Sequence, residues 1–91
     1  FGFKVQEINR ELASYLNLDQ QSGVLVVDIS SKSAAYKAGL RNRDVITKIN
    51  EIAITTGNDV KLAVSDLIIG EQVSFVFYRD GKQQTITYTV D

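Results

Sequence analysis

Phe1-Gly2-Phe3-Lys4-Val5-Gln6-Glu7-Ile8 is the stretch on which the reading of this chain turns. A glycine between two large apolar residues lets the backbone take a positive φ or come close to a ligand. Successive N–H groups in such a turn can converge on an anion, as in a backbone nest. The flanking Phe1 and Phe3 offer an apolar wall beside it. Oriented amides next to an apolar hollow suit the C-terminal carboxylate of a peptide and its last side chain. The triplet alone also permits a plainer reading, an apolar strand start in which Gly2 eases a bend. From Phe3 onward apolar Phe3, Val5 and Ile8 alternate with Lys4, Gln6 and Glu7. The alternation slips at its end, which predicts a strand over residues 3–7.

The composition bounds what the rest can be. Ninety-one residues make one small domain, residues 1–91, without room for two cores. An apolar fraction of 44% and a charged fraction of 23% belong to a globular chain rather than a disordered one. Ten basic and eleven acidic residues leave a net charge of −1, which argues against a nucleic-acid partner. No uninterrupted apolar stretch approaches a membrane span, so no membrane contact by this domain is expected. No signal peptide is visible, as would also hold for a fragment. The chain has neither Cys nor His. That removes the usual zinc sites, the Ser-His-Asp and Cys-His nucleophile systems, and disulfide scaffolding. No metal site, cofactor or catalytic residue is expected.

Outward from the opening strand, Asn9 is placed to cap a short helix over Arg10–Leu16, with Leu12, Tyr15 and Leu16 on one face. Asn17 to Ser22 reads as a loop. Gly23-Val24-Leu25-Val26-Val27-Asp28-Ile29 is a β-branched apolar run, hence a buried strand. Ser33 caps a helix over Ala34–Ala38, and Gly39 stands where a helix C-terminus favours glycine. Val45–Asn50 reads as a strand, followed by a brief Ile52-Ala53-Ile54 stretch. Thr56-Gly57-Asn58-Asp59 resembles a capping box. The helix it opens is predicted to run to about Leu67, with Val60, Ala63, Val64, Leu67 and Ile68 at amphipathic spacing. Gly70 ends it. Val73, Phe75 and Phe77 alternate in one strand and Ile86, Tyr88 and Val90 in the next. Asp80-Gly81 between them is a type I′ hairpin signal. The expected fold is α+β: a small, curled, mostly antiparallel sheet or partial barrel of five or six strands, capped by two or three helices.

This order resembles a PDZ domain, and within that family the type found in bacterial HtrA/Deg serine proteases. Phe1-Gly2-Phe3 matches the last three positions of the family's Gly-Leu-Gly-Phe-like carboxylate-binding loop. Glu11-Leu12-Ala13, Leu16, Leu18 and Gly23-Val24-Leu25-Val26 resemble the stretch leading into its second strand. Ser33-Ala34-Ala35-Tyr36-Lys37-Ala38-Gly39-Leu40 resembles its Ser-Pro-Ala-x-x-Ala-Gly-Leu helix. Asp44-Val45-Ile46 and Ile49-Asn50 resemble its Gly-Asp-Val-Ile and Ile-Asn-Gly segments. The resemblance covers essentially the whole chain. Three positions depart from it: Ala34 stands for proline, and Arg43 and Glu51 stand for glycines. Asn42 and Asn50, which tolerate left-handed backbone, are expected to take up the turn demand of those two glycines.

The resemblance implies a groove between the strand over residues 3–7 and the helix from Gly57. A ligand's C-terminal segment would add there as one more antiparallel strand, beside Lys4, Val5, Gln6 and Glu7. The amides of Phe1, Gly2 and Phe3 would hold its carboxylate. The last side chain would enter a hollow made by Phe1, Phe3, Val5, Val64 and Ile68. Full burial of that side chain is worth about 1.5–3 kcal/mol. Val60, Ala63 and Leu67 are assigned to the core. Many eukaryotic PDZ domains carry a histidine where this chain has Gly57, so that hydroxyl readout is expected to be missing. Lys61, one turn on, is read as a solvated lysine, with a contact to an acidic ligand side chain as the other reading.

The implied partners are C-terminal peptides or unfolded protein substrates, and the catalytic protease domain of the same chain. The implied location is extracytoplasmic, in periplasm or cell envelope. The implied role is substrate recognition or regulation in a serine protease. The alternatives are another PDZ-bearing system (an intramembrane metalloprotease, a C-terminal processing protease or a secretion component) or a structural contact domain with an unused groove. Two rivals are weaker. Ser31-Lys32-Ser33 is the one dense catalytic candidate, and three small polar residues before a helix read better as a cap. Lys37, Arg41 and Arg43 form a small basic cluster, but Asp44 sits beside them and no nucleic-acid motif accompanies them.

Overall fold

In the computed structural model, which describes residues 2–18 and 22–90, nine elements follow one another. They are β1 (Phe3–Glu7), α1 (Arg10–Tyr15), β2 (Val24–Ile29), α2 (Ala34–Ala38), β3 (Val45–Ile49), β4 (Ile52–Ala53), α3 (Gly57–Ser65), β5 (Gln72–Arg79) and β6 (Lys82–Thr89). All strand pairs are antiparallel, in the order β1-β2-β3-β5-β6, with the short β4 on β3. β1 and β6 are not paired, so the sheet is not closed into a barrel. At the β5–β6 turn Asp80 (φ 54°) and Gly81 (φ 76°) both take the positive φ that a type I′ hairpin needs.

The two faces of β2 explain its unbroken apolar run. Val24 and Val26 point into the main core with Ile46, Ile49, Val73, Phe75, Phe77 and the inner side of α3. Leu25 points the other way, into a smaller cluster with Ile8, Ala13 and Val45 under α1. Over Val24–Val26 the strand is buried on both faces and has no polar face to alternate with, while Val27 beyond them is exposed. Inside the main core, Phe75 meets the Phe3 ring edge-on at 6.0 Å and stacks on Tyr88 at 5.8 Å. The aromatic side chain at the start of β1 is thereby seated on the centre of the sheet.

Several expectations change in detail. α1 ends at Tyr15, and that side chain is 86% exposed rather than on an apolar face. A helix of under two turns buries a single residue, Ala13, while Leu16 and Leu18 pack from the segment beyond it. α3 stops at Ser65, before Leu67, because its last turn tightens: the Leu67 N–H donates to the Val64 carbonyl only three residues back. The turn before β3 is solved differently from the expectation. Asn50 is left-handed at φ 52°, as expected, but Arg43 itself, not Asn42, takes φ 74°. The Arg43 N–H donates to the Val26 carbonyl at 2.7 Å and holds the arginine in a conformation that a glycine would enter without strain.

Asp44 is buried at 1% exposure. Its carboxylate accepts from Arg79 Nε at 2.8 Å, Arg79 Nη2 at 2.7 Å and the Arg41 N–H at 2.8 Å. Arg79 Nη2 also donates to the Gly39 carbonyl at 2.7 Å. This bidentate pair ties the end of β5 to the α2 C-terminus and the turn into β3. The hydrogen bond to Asp44 holds the Arg79 guanidinium pKa above its ordinary value.

Candidate functional site

β1 is paired on one side only. The Gly2 carbonyl accepts from Ser30 N–H at 2.8 Å and the Ile8 N–H donates to the Gly23 carbonyl at 3.1 Å, so the even-numbered residues turn their backbone groups toward β2. By the alternation of an extended strand, Phe3, Val5 and Glu7 turn theirs toward the open edge, where α3 lies. A trans peptide places C=O and N–H on opposite sides. The bond from Ser30 to the Gly2 carbonyl thus aims the Phe3 N–H at the same open side.

Gly2 is fixed at its place by conformation and by space. Its φ is +89°, and a Cβ there would sit 2.5 Å from the Ser33 Cβ. Position 2 is therefore closed to any side chain. Ser33 also caps α2, its Oγ accepting from Tyr36 N–H at 3.2 Å and donating to the Ser30 carbonyl at 2.7 Å. The Ser31-Lys32-Ser33 triplet is a turn and a cap, and among the described residues no base is hydrogen-bonded to either hydroxyl.

Between β1 and α3 lies a hollow of about 460 Å³, lined by Phe3, Lys4, Val5, Gly57, Val60, Lys61 and Val64. That volume is within the usual range of ligand pockets. Helical spacing sets the wall: Gly57, Lys61 and Val64 fall along one edge of α3. Val64 is half-buried, and Val60 and Ala63 are buried against the core. Val60 serves both core and wall. Leu67 is half-buried and packs against the core, as assigned.

The α3 N-terminus is held by a capping box. Thr56 Oγ1 accepts from Asp59 N–H at 3.0 Å, and the Asp59 carboxylate accepts from Thr56 N–H at 3.1 Å and Thr55 N–H at 2.9 Å. These hydrogen bonds, that from the Thr55 N–H first, lower the Asp59 pKa below its ordinary value. The Gly57 N–H is taken up by a different group: it donates to Glu7 Oε1, across the groove, at 3.0 Å.

Of the residues expected from sequence, the hollow brings together Phe3, Lys4, Val5, Gly57, Lys61 and Val64. Gln6 lies on β1 and is exposed. Glu7 sits at the far end, beside the α3 N-terminus. Ile68 is not in the wall; it follows the end of α3 and is 63% exposed. The early stop of α3 removes it from the helical edge. Phe1 lies outside the described residues. A second, more polar depression of about 650 Å³ lies between the segment after α1, the turn before β3 and the β5–β6 hairpin. Its guanidinium groups are engaged internally. Arg41 stacks 3.8 Å above the Tyr36 ring and donates to the Tyr36 and Leu40 carbonyls at 2.6 Å and 2.9 Å, and Arg79 holds Asp44. Among the described residues, no cluster of carboxylates has the arrangement of a metal site.

The PDZ domain family profile matches residues 1–90. This chain is a PDZ domain. It is 36% identical over 90 residues to a probable periplasmic serine endoprotease DegP-like of Marinomonas sp. (strain MWYL1), covering 99% of this chain and 19% of that protein. It is 34% identical over 85 residues to a probable periplasmic serine protease do/HhoA-like of Haemophilus influenzae, covering 93% of this chain and 18% of that one. The PDZ domain thus spans about a fifth of the length of these relatives. Among solved structures, the HtrA-type protease AlgW with decapeptide superposes at a TM-score of 0.86 with 27% identity, over 97% of this chain and 27% of that one. The HtrA3 PDZ domain bound to a phage-derived ligand, FGRWV, shares the fold at a TM-score of 0.83 with 17% identity, over 98% of this chain and 81% of that one.

Proposed function

We propose that this PDZ domain captures C-terminal segments of polypeptides by strand addition to β1, as the non-catalytic recognition or regulatory domain of an extracytoplasmic serine protease. The observation that carries the reading is the open edge of β1, facing α3 across an apolar hollow that ends at the Gly2 turn. The ligand strand lies antiparallel to Phe3–Glu7 and takes main-chain hydrogen bonds from it. Its carboxylate rests on the amides of Gly2 and Phe3, with that of Phe1. These are charge-assisted bonds, stronger than neutral ones. Its last side chain fills the hollow against Phe3, Val5 and Val64. The periplasmic serine proteases among the relatives support the parent and the location, and the peptide-bound AlgW supports the ligand class.

Calorimetry with a free-acid peptide ending in an apolar residue, and with its C-terminal amide, tests the reading. The expected dissociation constant is micromolar, about −8 kcal/mol at 1 μM, with a large loss for the amide. Equal affinity of the two forms refutes carboxylate capture. The domain by itself is expected to cleave neither peptides nor esters. Turnover that survives purification and vanishes in Ser31→Ala or Ser33→Ala refutes that part.

A further inference from the structure

On its α3 side β1 presents Phe3, Val5 and Glu7, two residues apart and on one face. The first two are apolar and line the hollow. The third is a carboxylate that reaches across to the first amide of α3, the Gly57 N–H, at 3.0 Å. Only one of its oxygens is used. Glu7 Oε2 has no hydrogen-bond or ion-pair partner among the described residues, whose ion pairs are Lys48–Glu51 and Arg79–Asp44. Asp59, the other carboxylate at this helix end, turns its Oδ2 back onto Thr55 and Thr56 in the capping box, whereas Glu7 stands on β1, the strand with which the ligand pairs. Gly57 brings no side chain. The polar side chain offered to a ligand at this end of the groove therefore comes from the strand. The cations Lys4 and Lys61 lie along the hollow itself. The groove is charged unevenly along its length: cations flank the hollow and an anion stands at its far end.

Strand pairing converts that placement into a ligand position. With the carboxylate on the Gly2 and Phe3 amides, the ligand's last residue runs beside Phe3. Its third residue from the end then runs beside Val5 and its fifth beside Glu7. Directly opposed side chains on one face stand about 4.5–5.5 Å apart at Cβ. We infer that Glu7 is a specificity-determining residue of the groove, selecting Lys or Arg over Asp or Glu at the fifth residue from the ligand's C-terminus. The inference rests on the groove reading above. The pair is exposed, so the expected preference for Lys over Glu is about three- to tenfold, and it weakens with salt.

The test is a fluorescence-polarisation titration of this chain with labelled free-acid peptides Gly-Ser-Xaa-Ser-Ala-Ala-Val, in which Xaa is Lys, Gln or Glu, and with the Lys peptide as its C-terminal amide. The expected order is Lys, then Gln, then Glu, with the spread collapsing at about 1 M salt. Glu7→Gln keeps an acceptor for the Gly57 N–H and is expected to bring the Lys-to-Glu ratio to about one. Glu7→Lys is expected to invert the order. A ratio that persists in Glu7→Gln overturns the inference. So does a wild-type domain that prefers free acid to amide yet ignores Xaa, an outcome that leaves the groove reading standing. Equal binding of acid and amide, or no binding of any peptide, refutes both.

Discussion

Replacing Arg79 with Met tests the buried ion pair, and with it the claim that the frame and the groove are separable. Asp44 is 1% exposed and takes three donors, two of them from Arg79. Arg79→Met keeps an unbranched side chain but removes the guanidinium, which lies 5.2 Å from the Phe77 ring centroid, and leaves the carboxylate with the Arg41 N–H alone. Removing one partner of a buried pair costs about 3–5 kcal/mol. The Arg79 side chain is 33% exposed, which places the loss toward the lower figure, about 3 kcal/mol. At about 0.05–0.15 kcal/mol per residue, a domain of this size holds roughly 5–14 kcal/mol in total. The loss is therefore a large fraction of it. With a urea m-value of about 1 kcal/mol/M, the midpoint falls by about 3 M. Adding Asp44→Asn removes the unpaired charge and is expected to restore at least about 1 kcal/mol relative to Arg79→Met alone. Neither residue lines the β1–α3 hollow, so peptide affinity in the folded fraction stays within about twofold of wild type. Urea unfolding of wild type, both single variants and the double variant, followed by peptide titration, measures every quantity. Losses that simply add, or an Arg79→Met cost under about 0.5 kcal/mol, would show that the pair behaves as a solvated surface contact.

Val64→Asp is expected to leave the domain folded, because the side chain is only half-buried, and to reduce free-acid peptide affinity by about a hundredfold, through desolvation and repulsion of the bound carboxylate; unfolding in place of lost binding would reverse the assignment of the α3 faces. Leu67→Ala is expected to do the opposite, costing about 1–2 kcal/mol of stability, less than a fully buried leucine, with affinity little changed. Gly2→Ala forces a Cβ onto Ser33 and an unfavourable left-handed backbone worth about 1–2 kcal/mol, so carboxylate-dependent affinity should drop at least tenfold, and an unchanged acid-to-amide ratio would remove Gly2 from the site. The lowered Asp59 pKa makes its contribution fully present above the unfolded value of about 3.9 and lost as pH falls through the lower folded value; urea midpoints from neutral pH down to about pH 2 should show Asp59→Asn lacking that part of the acid decline, and parallel curves would contradict it.

Local signals carried much of the sequence reading. Alternation over Phe3–Glu7, the apolar run of β2, the Thr56–Asp59 capping box and the Asp80-Gly81 turn each depend on residues adjacent in the chain. Backbone sterics and local hydrogen bonds are written at that range. They place β1 and α3, and with them Gly2, Phe3, Val5, Gly57, Lys61 and Val64. What they leave open depends on distant neighbours. Arg43 takes the left-handed turn because a carbonyl of β2 holds its N–H, and no propensity of arginine announces that. Asp44 reads in sequence as one charge beside a basic cluster, and it is buried because Arg79, 35 residues away, comes to meet it. Glu7 reads as the polar end of a strand, and it spans the groove because the tertiary fold sets the first amide of α3, 50 residues on, within reach of its carboxylate. Ile68 continues the helical stripe in sequence but leaves it in space, because α3 tightens and ends before it. Short-range sterics determined the elements of this domain. The long-range pairing of single polar groups, whose energy depends on burial and angle rather than on order in the chain, was decided by the tertiary structure alone.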